Sequence, residues 1–390
     1  MANAPYCAIV GLGFSDLSRE PVGSARALAC TAVRRAISDA GLSTADIDGL
    51  LINQSALAVP DTVPLGLHRD LSLGPLRLLA KLDGKGSSVI QMLQYAAMCI
   101  NAGLVKAVAC VFADTPVSTG VPSGASFGNP ANLSGVHGWE AQYGMFGPVA
   151  SYALLAQRYL ALVGADEQHL AAYAMACRKW SAGNPLAFMK EPLTMDAYLA
   201  ARYIVEPFRV FDCAYPVNGA AAVVLTSAEL AAGCVVPPVY VHGIGQGHAG
   251  VPMTRGADAT PGAGETAARG VFATAGVAPA DVTMCQFYDA FSISPLLALE
   301  AYGICGTGEG AAFVLDGHTD PVGTLPMNTG GGQLASYYLQ GMTPVSEAII
   351  QARGSGGERQ SGHNDLILVN GSGGCLEYQA AMLLSPWKSL

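Results

Sequence analysis

The sequence predicts an α/β protein made of two similar halves with a long segment inserted between them. Two observations carry that reading. A helix that stops at glycine and leads into an apolar strand occurs in each half, in the same order, and the strands are unbroken apolar runs, as expected where both faces of a sheet are covered. Along the chain, Cys7-Ala8-Ile9-Val10 opens the first strand, and Ala25 to Ala40 has helical periodicity ending at Gly41, a C-cap position. Leu42 to Asp48 then turns into a strand through Ile52. The segment Ala275-Gly276-Val277-Ala278-Pro279-Ala280-Asp281-Val282 repeats that grammar in the second half. In a second matched pair, Ser87 to Ala102 reads as a helix, ends at Gly103 and feeds a strand from Val105 to Phe112. Its counterpart is a helix from Tyr337 to Arg353, then Gly354, a polar loop and the strand Leu366 to Val369. Mainly parallel sheets are the expectation.

Between the halves, Ala113 to Pro216 is rich in Gly, Pro and Ser as far as position 136, then helical over Tyr152 to Leu162 and Glu167 to Ala182. A segment this long is an inserted subdomain or a lid. Asn218 to Thr226 returns to the sheet, and the glycine-rich His242 to Gly264 reads as loop. The expected organisation is a first half of residues 1–112 and 217–232, an inserted loop domain of 113–216 and a second half of 233–390.

Only 13% of the 390 residues are charged, about half the usual share. The formal charge of −9, without a basic run, argues against nucleic acid as a partner. Ten cysteines show neither CxxC nor regular spacing and read as reduced core thiols, so a cytoplasmic location is expected. There is no signal-peptide pattern, no apolar run long enough to cross a membrane and no metal-ligand spacing.

The chemistry-bearing candidates cluster late in the chain. Tyr288, in Gln286-Phe287-Tyr288-Asp289-Ala290-Phe291-Ser292, ends an apolar strand just before a helix (Ser294 to Tyr302), where α/β proteins assemble sites. Tyr338 stands in Tyr337-Tyr338-Leu339-Gln340-Gly341, with Tyr337 the alternative register. Gly371-Ser372-Gly373-Gly374 follows a strand, and clustered glycines let backbone N–H groups approach a ligand oxygen, which makes Ser372, Gly373 and Gly374 the oxyanion candidates. Ser87 and Ser88 open a helix; a serine nucleophile needs an adjacent base, no histidine is near in sequence, and both read as N-cap residues. With Asn328, Tyr337 and His137 they form the candidate substrate-binding set.

Five pieces in order resemble the thiolase superfamily in its sterol-carrier or lipid-transfer-protein branch: Ala8-Ile9-Val10-Gly11, Asn218-Gly219-Ala220-Ala221, the Tyr-Asp-Ala-Phe-Ser segment, Asn328-Thr329-Gly330-Gly331-Gly332 and Asn370-Gly371-Ser372-Gly373-Gly374. The resemblance implies a thiolase-like, duplicated five-layer α/β/α/β/α fold. It also puts Gly86 at the place of the nucleophilic cysteine, Tyr288 and Tyr338 at the places of two catalytic histidines, and Asn370 where many thiolases have an acid/base cysteine. The steroid side-chain-cleaving aldolases of that branch carry tyrosines at the same two places. Retro-aldol cleavage of a 3-hydroxyacyl-CoA follows as the expected activity, with Tyr288 serving the β-hydroxyl, Tyr338 the enolate carbon, and no acyl-enzyme. The same resemblance implies a homodimer joined by a small OB-fold partner into a heterotetramer, and no bound cofactor, coenzyme A entering as part of the substrate. Arg178, Lys179, Lys190, Arg202 and Arg209 are the insert's candidates for the CoA phosphates. The alternatives are an acyltransferase with a displaced nucleophile, a noncatalytic acyl-CoA-binding subunit, and decarboxylating condensation, which needs the missing cysteine.

Overall fold

The computed structural model describes residues 5–53, 64–120, 135–250 and 262–390. In chain order the first half supplies β1 (Cys7–Phe14), α1 (Ala25–Asp39), β2 (Gly49–Asn53), α2 (Pro64–Leu71), β3 (Leu78–Leu82), α3 (Ser88–Asn101) and β4 (Ala107–Asp114). The intervening segment forms α4 (Gly135–Gln142), α5 (Pro148–Val163), α6 (Glu167–Ser181), α7 (Met195–Leu199) and the small hairpin β5 (Tyr203–Val205) and β6 (Phe208–Arg209). There follow β7 (Gly219–Thr226), β8 (Val239–His248), α8 (Gly262–Ala275), β9 (Met284–Gln286), α9 (Ile293–Ala301), α10 (Gly310–Leu315), α11 (Met342–Ala352), β10 (Ile367–Gly373) and β11 (Tyr378–Ser385).

The nine long-range strands run in the order β3-β2-β4-β7-β1-β8-β11-β10-β9. The two halves of this sheet meet where β1 pairs antiparallel with β8, from Cys7 opposite Val241 to Ile9 opposite Val239. Three apolar layers define the stacking. One holds α1 and α2 against the outer face of the first half-sheet. A central layer holds α3 and α11 between the inner faces of both half-sheets, and a third holds α8, α9 and the insert helices against the second. The result is the expected α/β/α/β/α stack.

The sheet is mixed rather than mainly parallel. β2 runs parallel to β3 and β4, and β9 to β10, whereas β7 is antiparallel to both β4 and β1, and β11 to both β10 and β8. Burial on both faces makes most of β7 and β11 apolar whichever way they point, so composition carries no direction.

The region from His242, expected as loop, begins inside β8. Its glycines alternate, and a Cβ at Gly243, Gly245 or Gly247 would collide with backbone of α8 at Val271, Ala267 or Ala263 respectively. Gly11 and Gly13 of β1 seat α1 in the same way, against Ala36 and Ala32. The duplication is thus written in glycines that let a helix lie directly on a strand. The helix expected from Tyr337 starts only at Met342, because Gln340 takes a positive φ of 49° and Tyr338 pairs in an extended bridge with Pro216.

Candidate active site

Four chain segments converge where the two halves meet. The 3-10 turn Lys85–Ser87 leads into α3, the Phe287–Asp289 segment leaves β9, the Tyr337–Gly341 segment precedes α11, and the end of β10 carries the glycines. Gly341 packs on the same turn, since a Cβ there would lie 2.9 Å from Val89 Cβ and 3.4 Å from the Gly86 carbonyl.

Tyr288 and Tyr338 face each other, hydroxyl to hydroxyl at 3.0 Å, with rings nearly perpendicular and 6.4 Å apart. Tyr288 is buried and its backbone N–H donates to Asn370 Oδ1 at 2.8 Å; Tyr338 is half-buried and its N–H donates to the Tyr215 carbonyl at 3.0 Å. Burial, with the neighbouring Tyr338 phenol adding to it, pushes Tyr288 well above the ordinary tyrosine value. Burial likewise pushes Tyr338 up to about 12, the hydrogen bond from Tyr288 opposing the rise and the Asp114 charge reinforcing it. Both phenols are therefore neutral near pH 7.

Gly86 lies directly beneath Tyr288. A Cβ on Gly86 would fall 2.5 Å from Tyr288 Cζ and 2.7 Å from its hydroxyl, and would overlap the Ser372 carbonyl. The space a cysteine side chain would need is filled by the tyrosine and by the strand end.

The remaining candidates divide by what they touch. Ser87 Oγ donates to the Gly84 carbonyl at 2.7 Å and Ser88 Oγ to the Lys85 carbonyl at 2.6 Å, so both buried hydroxyls close the turn at the head of α3. Tyr337 points the other way, into the central layer, where its hydroxyl meets Ser346 Oγ at 3.1 Å and its ring meets Phe14 edge-on. Asn328 is taken up by the chain itself: Oδ1 accepts from Phe287 N at 2.7 Å, while Nδ2 donates to the Phe287 carbonyl at 2.9 Å and to Tyr173 Oη at 2.6 Å. The His137 side chain lies outside the described residues.

The glycine stretch is strand through Gly373, with Gly371, Ser372 and Gly373 opposite Ala380, Gln379 and Tyr378 of β11; only Gly374, at a φ of +64°, is turn. A Cβ on Gly373 would collide with the Gly84 carbonyl, so close approach to the turn before α3 explains the glycine. Ser372 Oγ accepts from Gln379 Nε2 at 2.8 Å.

Of the five cations considered for CoA, four have internal partners. Arg178 is buried and donates to the Glu191 carbonyl, Lys179 pairs with Asp320, and Arg209 with Glu167. Lys190, which donates to the Pro185 carbonyl at 3.3 Å, and Arg202 are exposed. Among the described residues no group of three His, Cys, Asp or Glu side chains is placed to hold a metal.

Two further tyrosines of the intervening segment reach the site, and sequence spacing did not reveal them. Tyr152 of α5 donates to the Gly374 carbonyl at 2.9 Å, and its ring lies tilted against Phe291 with centroids 4.8 Å apart. Tyr173 of α6 donates to Asp289 Oδ2 at 2.7 Å. Their one signal was helical position on faces that had to be buried against something.

Comparison with known proteins agrees with this fold. Residues 245–386 match the thiolase C-terminal domain-like family. The chain is 33% identical, over 94% of its length and 96% of the relative's, to the 17-hydroxy-3-oxo-4-pregnene-20-carboxyl-CoA lyase of Mycobacterium tuberculosis. It is 30% identical, over 94% and 95%, to a steroid side-chain-cleaving aldolase of Thermomonospora curvata. Among solved structures, the Ltp2-ChsH2(DUF35) aldolase superposes with a TM-score of 0.89 at 29% identity, covering 99% of both chains. The chain belongs to the thiolase superfamily, in the sterol-carrier-type branch that includes the steroid side-chain-cleaving aldolases.

Proposed function

We propose that this enzyme, a carbon–carbon lyase of the thiolase-like aldolase type, cleaves a 3-hydroxyacyl-CoA by retro-aldol chemistry with Tyr288 and Tyr338 as its proton-transfer pair. The observation that supports this most directly is the Tyr288 ring in the space above Gly86, which leaves no room for an acyl-accepting thiol. Acyl transfer through a thioester is thereby disfavoured, and chemistry through an enolate fits what remains.

In the proposed reaction Tyr288 accepts the proton of the substrate β-hydroxyl, and its own proton passes across the 3.0 Å contact to Tyr338. As the Cα–Cβ bond breaks, a ketone or aldehyde forms at the former β-carbon. The bonding pair goes to the enolate of the shorter acyl-CoA, and Tyr338 delivers its proton to the enolate carbon. One proton moves from oxygen to carbon in net terms, and both tyrosines end neutral. This matters because an ordinary tyrosine is only about one part in a thousand ionised at pH 7, a penalty of about 4 kcal/mol. Burial makes a free phenolate costlier still, so a concerted relay avoids a charge that the site disfavours. Backbone N–H groups around Ser372, Gly373 and Gly374 are the proposed donors to the thioester oxygen. The acyl group is of the steroid side-chain type, as in the names of both relatives, and coenzyme A enters only as part of the substrate.

By analogy with the DUF35-containing aldolase structure, we place this chain in a homodimer that takes up a small OB-fold partner as a heterotetramer. Its ten cysteines, none of them in a disulfide, fit the reduced cytoplasm. The test is a cleavage assay on the chain co-expressed with a DUF35-type partner, with steroidal 3-hydroxyacyl-CoAs bearing tertiary β-carbons, with and without free CoA. Release of a ketone and a shorter acyl-CoA without added CoA is the expected result. Cleavage only of 3-oxo substrates, and only with free CoA, would overturn the reading.

A further inference from the structure

Asp289 follows the proposed catalytic Tyr288, and its carboxylate is taken up by the protein itself. It is fully buried, and each carboxylate oxygen already has a partner. Oδ1 accepts from the backbone N–H of Gln333 at 2.9 Å, and Oδ2 accepts from Tyr173 Oη at 2.7 Å. Gly332 lies so close that a Cβ there would collide with Oδ2, and its φ of +60° fits glycine. Gly331, at φ +94°, presses on Ser181 and Cys177 of α6, the helix that carries Tyr173.

These contacts join the two tyrosine segments. On one side, Phe287 is held at both backbone polar groups by Asn328, and Asn328 in turn donates to Tyr173 Oη at 2.6 Å. On the other, Gln333 begins the path to Tyr338: its carbonyl accepts from Tyr215 N at 2.8 Å, and the Tyr215 carbonyl accepts from Tyr338 N at 3.0 Å. The one carboxylate therefore bridges the strand end that carries Tyr288 and the turn that leads to Tyr338.

We propose that Asp289, braced by Tyr173, is a positioning residue that sets the separation of the Tyr288 and Tyr338 hydroxyls. A charge so near Tyr288 opposes its ionisation, so help with proton abstraction does not account for a carboxylate here, whereas its hydrogen bonds do. The inference rests on the tyrosine-relay reading, and it assigns the intervening segment a part in catalysis through α6. A misplacement of reacting groups on the ångström scale costs up to about 100-fold in rate without loss of substrate binding.

The test uses Tyr173→Phe, which removes one hydroxyl and keeps the ring, together with Asp289→Asn. Both are made in the full chain with its partner and with 3-fluorotyrosine placed at position 338. The expected result for Tyr173→Phe is a kcat lowered about 10- to 100-fold at unchanged KM, with a displaced fluorine resonance from position 338. An unchanged kcat and resonance, with only a lowered melting temperature, would overturn the proposal by making the cluster merely structural. Should Asp289→Asn fail to fold, Tyr173→Phe decides alone. An inactive wild type would defeat the retro-aldol reading, while the fluorine shift would still decide whether the cluster positions Tyr338.

Discussion

Tyr288 and Tyr338 can be separated from their surroundings by deleting single oxygens. Tyr288→Phe and Tyr338→Phe each keep their ring, that of Tyr288 still filling the space above Gly86, but break the proton relay. Each is expected to lower kcat by about 10²- to 10⁴-fold with little change in KM, measured by ketone release under saturating substrate. Equal loss in both variants, and no further loss in the double variant, would mark a pair acting as a unit. Gly86 offers the converse experiment. Gly86→Cys restores the residue type of a thiolase, yet its Cβ must overlap the Ser372 carbonyl and crowd the Tyr288 ring. The expected outcome is loss of lyase activity with no acyl adduct on Cys by intact-protein mass spectrometry; a stable acyl adduct would show that the nucleophile's place is still open.

At the scale of elements, the sequence showed most where a residue had a local mechanism. α1 and α3 were legible because their apolar periodicity stops at Gly41 and Gly103, both at positive φ. β4 and β10 were legible as apolar runs. What stayed hidden depended on neighbours far away in sequence. Gly243, Gly245 and Gly247 read as loop because the helix that needs them begins beyond them in sequence. Asn328 read as a ligand-binding residue because nothing in its spacing shows that it holds the backbone of Phe287. The tyrosine pair was found through resemblance, whereas Tyr152 and Tyr173 reach the site only through the packing of α5 and α6. The Asp289 cluster adds a pH prediction at this scale. Burial raises the Asp289 carboxyl to about 7, well above its value of about 3.9 in an unfolded chain. Between those two values the folded state holds a proton that the unfolded state has released. Asp289 therefore makes the fold less stable as pH rises from about 4 to about 7, with no further change above. Stability of the wild type minus that of Asp289→Asn, from urea unfolding at successive pH values, should fall across that window; a flat difference would remove the buried proton.

For the whole molecule, the decisive feature is that neither half owns its inner surface. α3 and α11 share one layer with Leu51, Val108 and Val223 of the first half-sheet and Met284, Ile367 and Val369 of the second, all buried. The half-sheets are also joined directly through β1 and β8. Pulling the halves apart would expose that entire layer to water, at about 25 cal/mol for each Å² of apolar surface. An intermediate with one half folded is accordingly unfavourable, despite the duplication and a chain length at which separate domains commonly unfold in steps. The expectation is a single calorimetric transition, with the tryptophan fluorescence and far-ultraviolet signals coincident in urea. Leu93→Ala tests the coupling. Leu93 is completely buried in the shared layer, and truncating it should cost about 2–5 kcal/mol through lost burial and the cavity left behind. If the halves stand or fall together, that loss moves the one transition as a whole to lower denaturant without splitting it. Two resolved transitions, with only one displaced by Leu93→Ala, would show that the halves fold separately; the site between them would then depend on docking two finished domains rather than on one cooperative core.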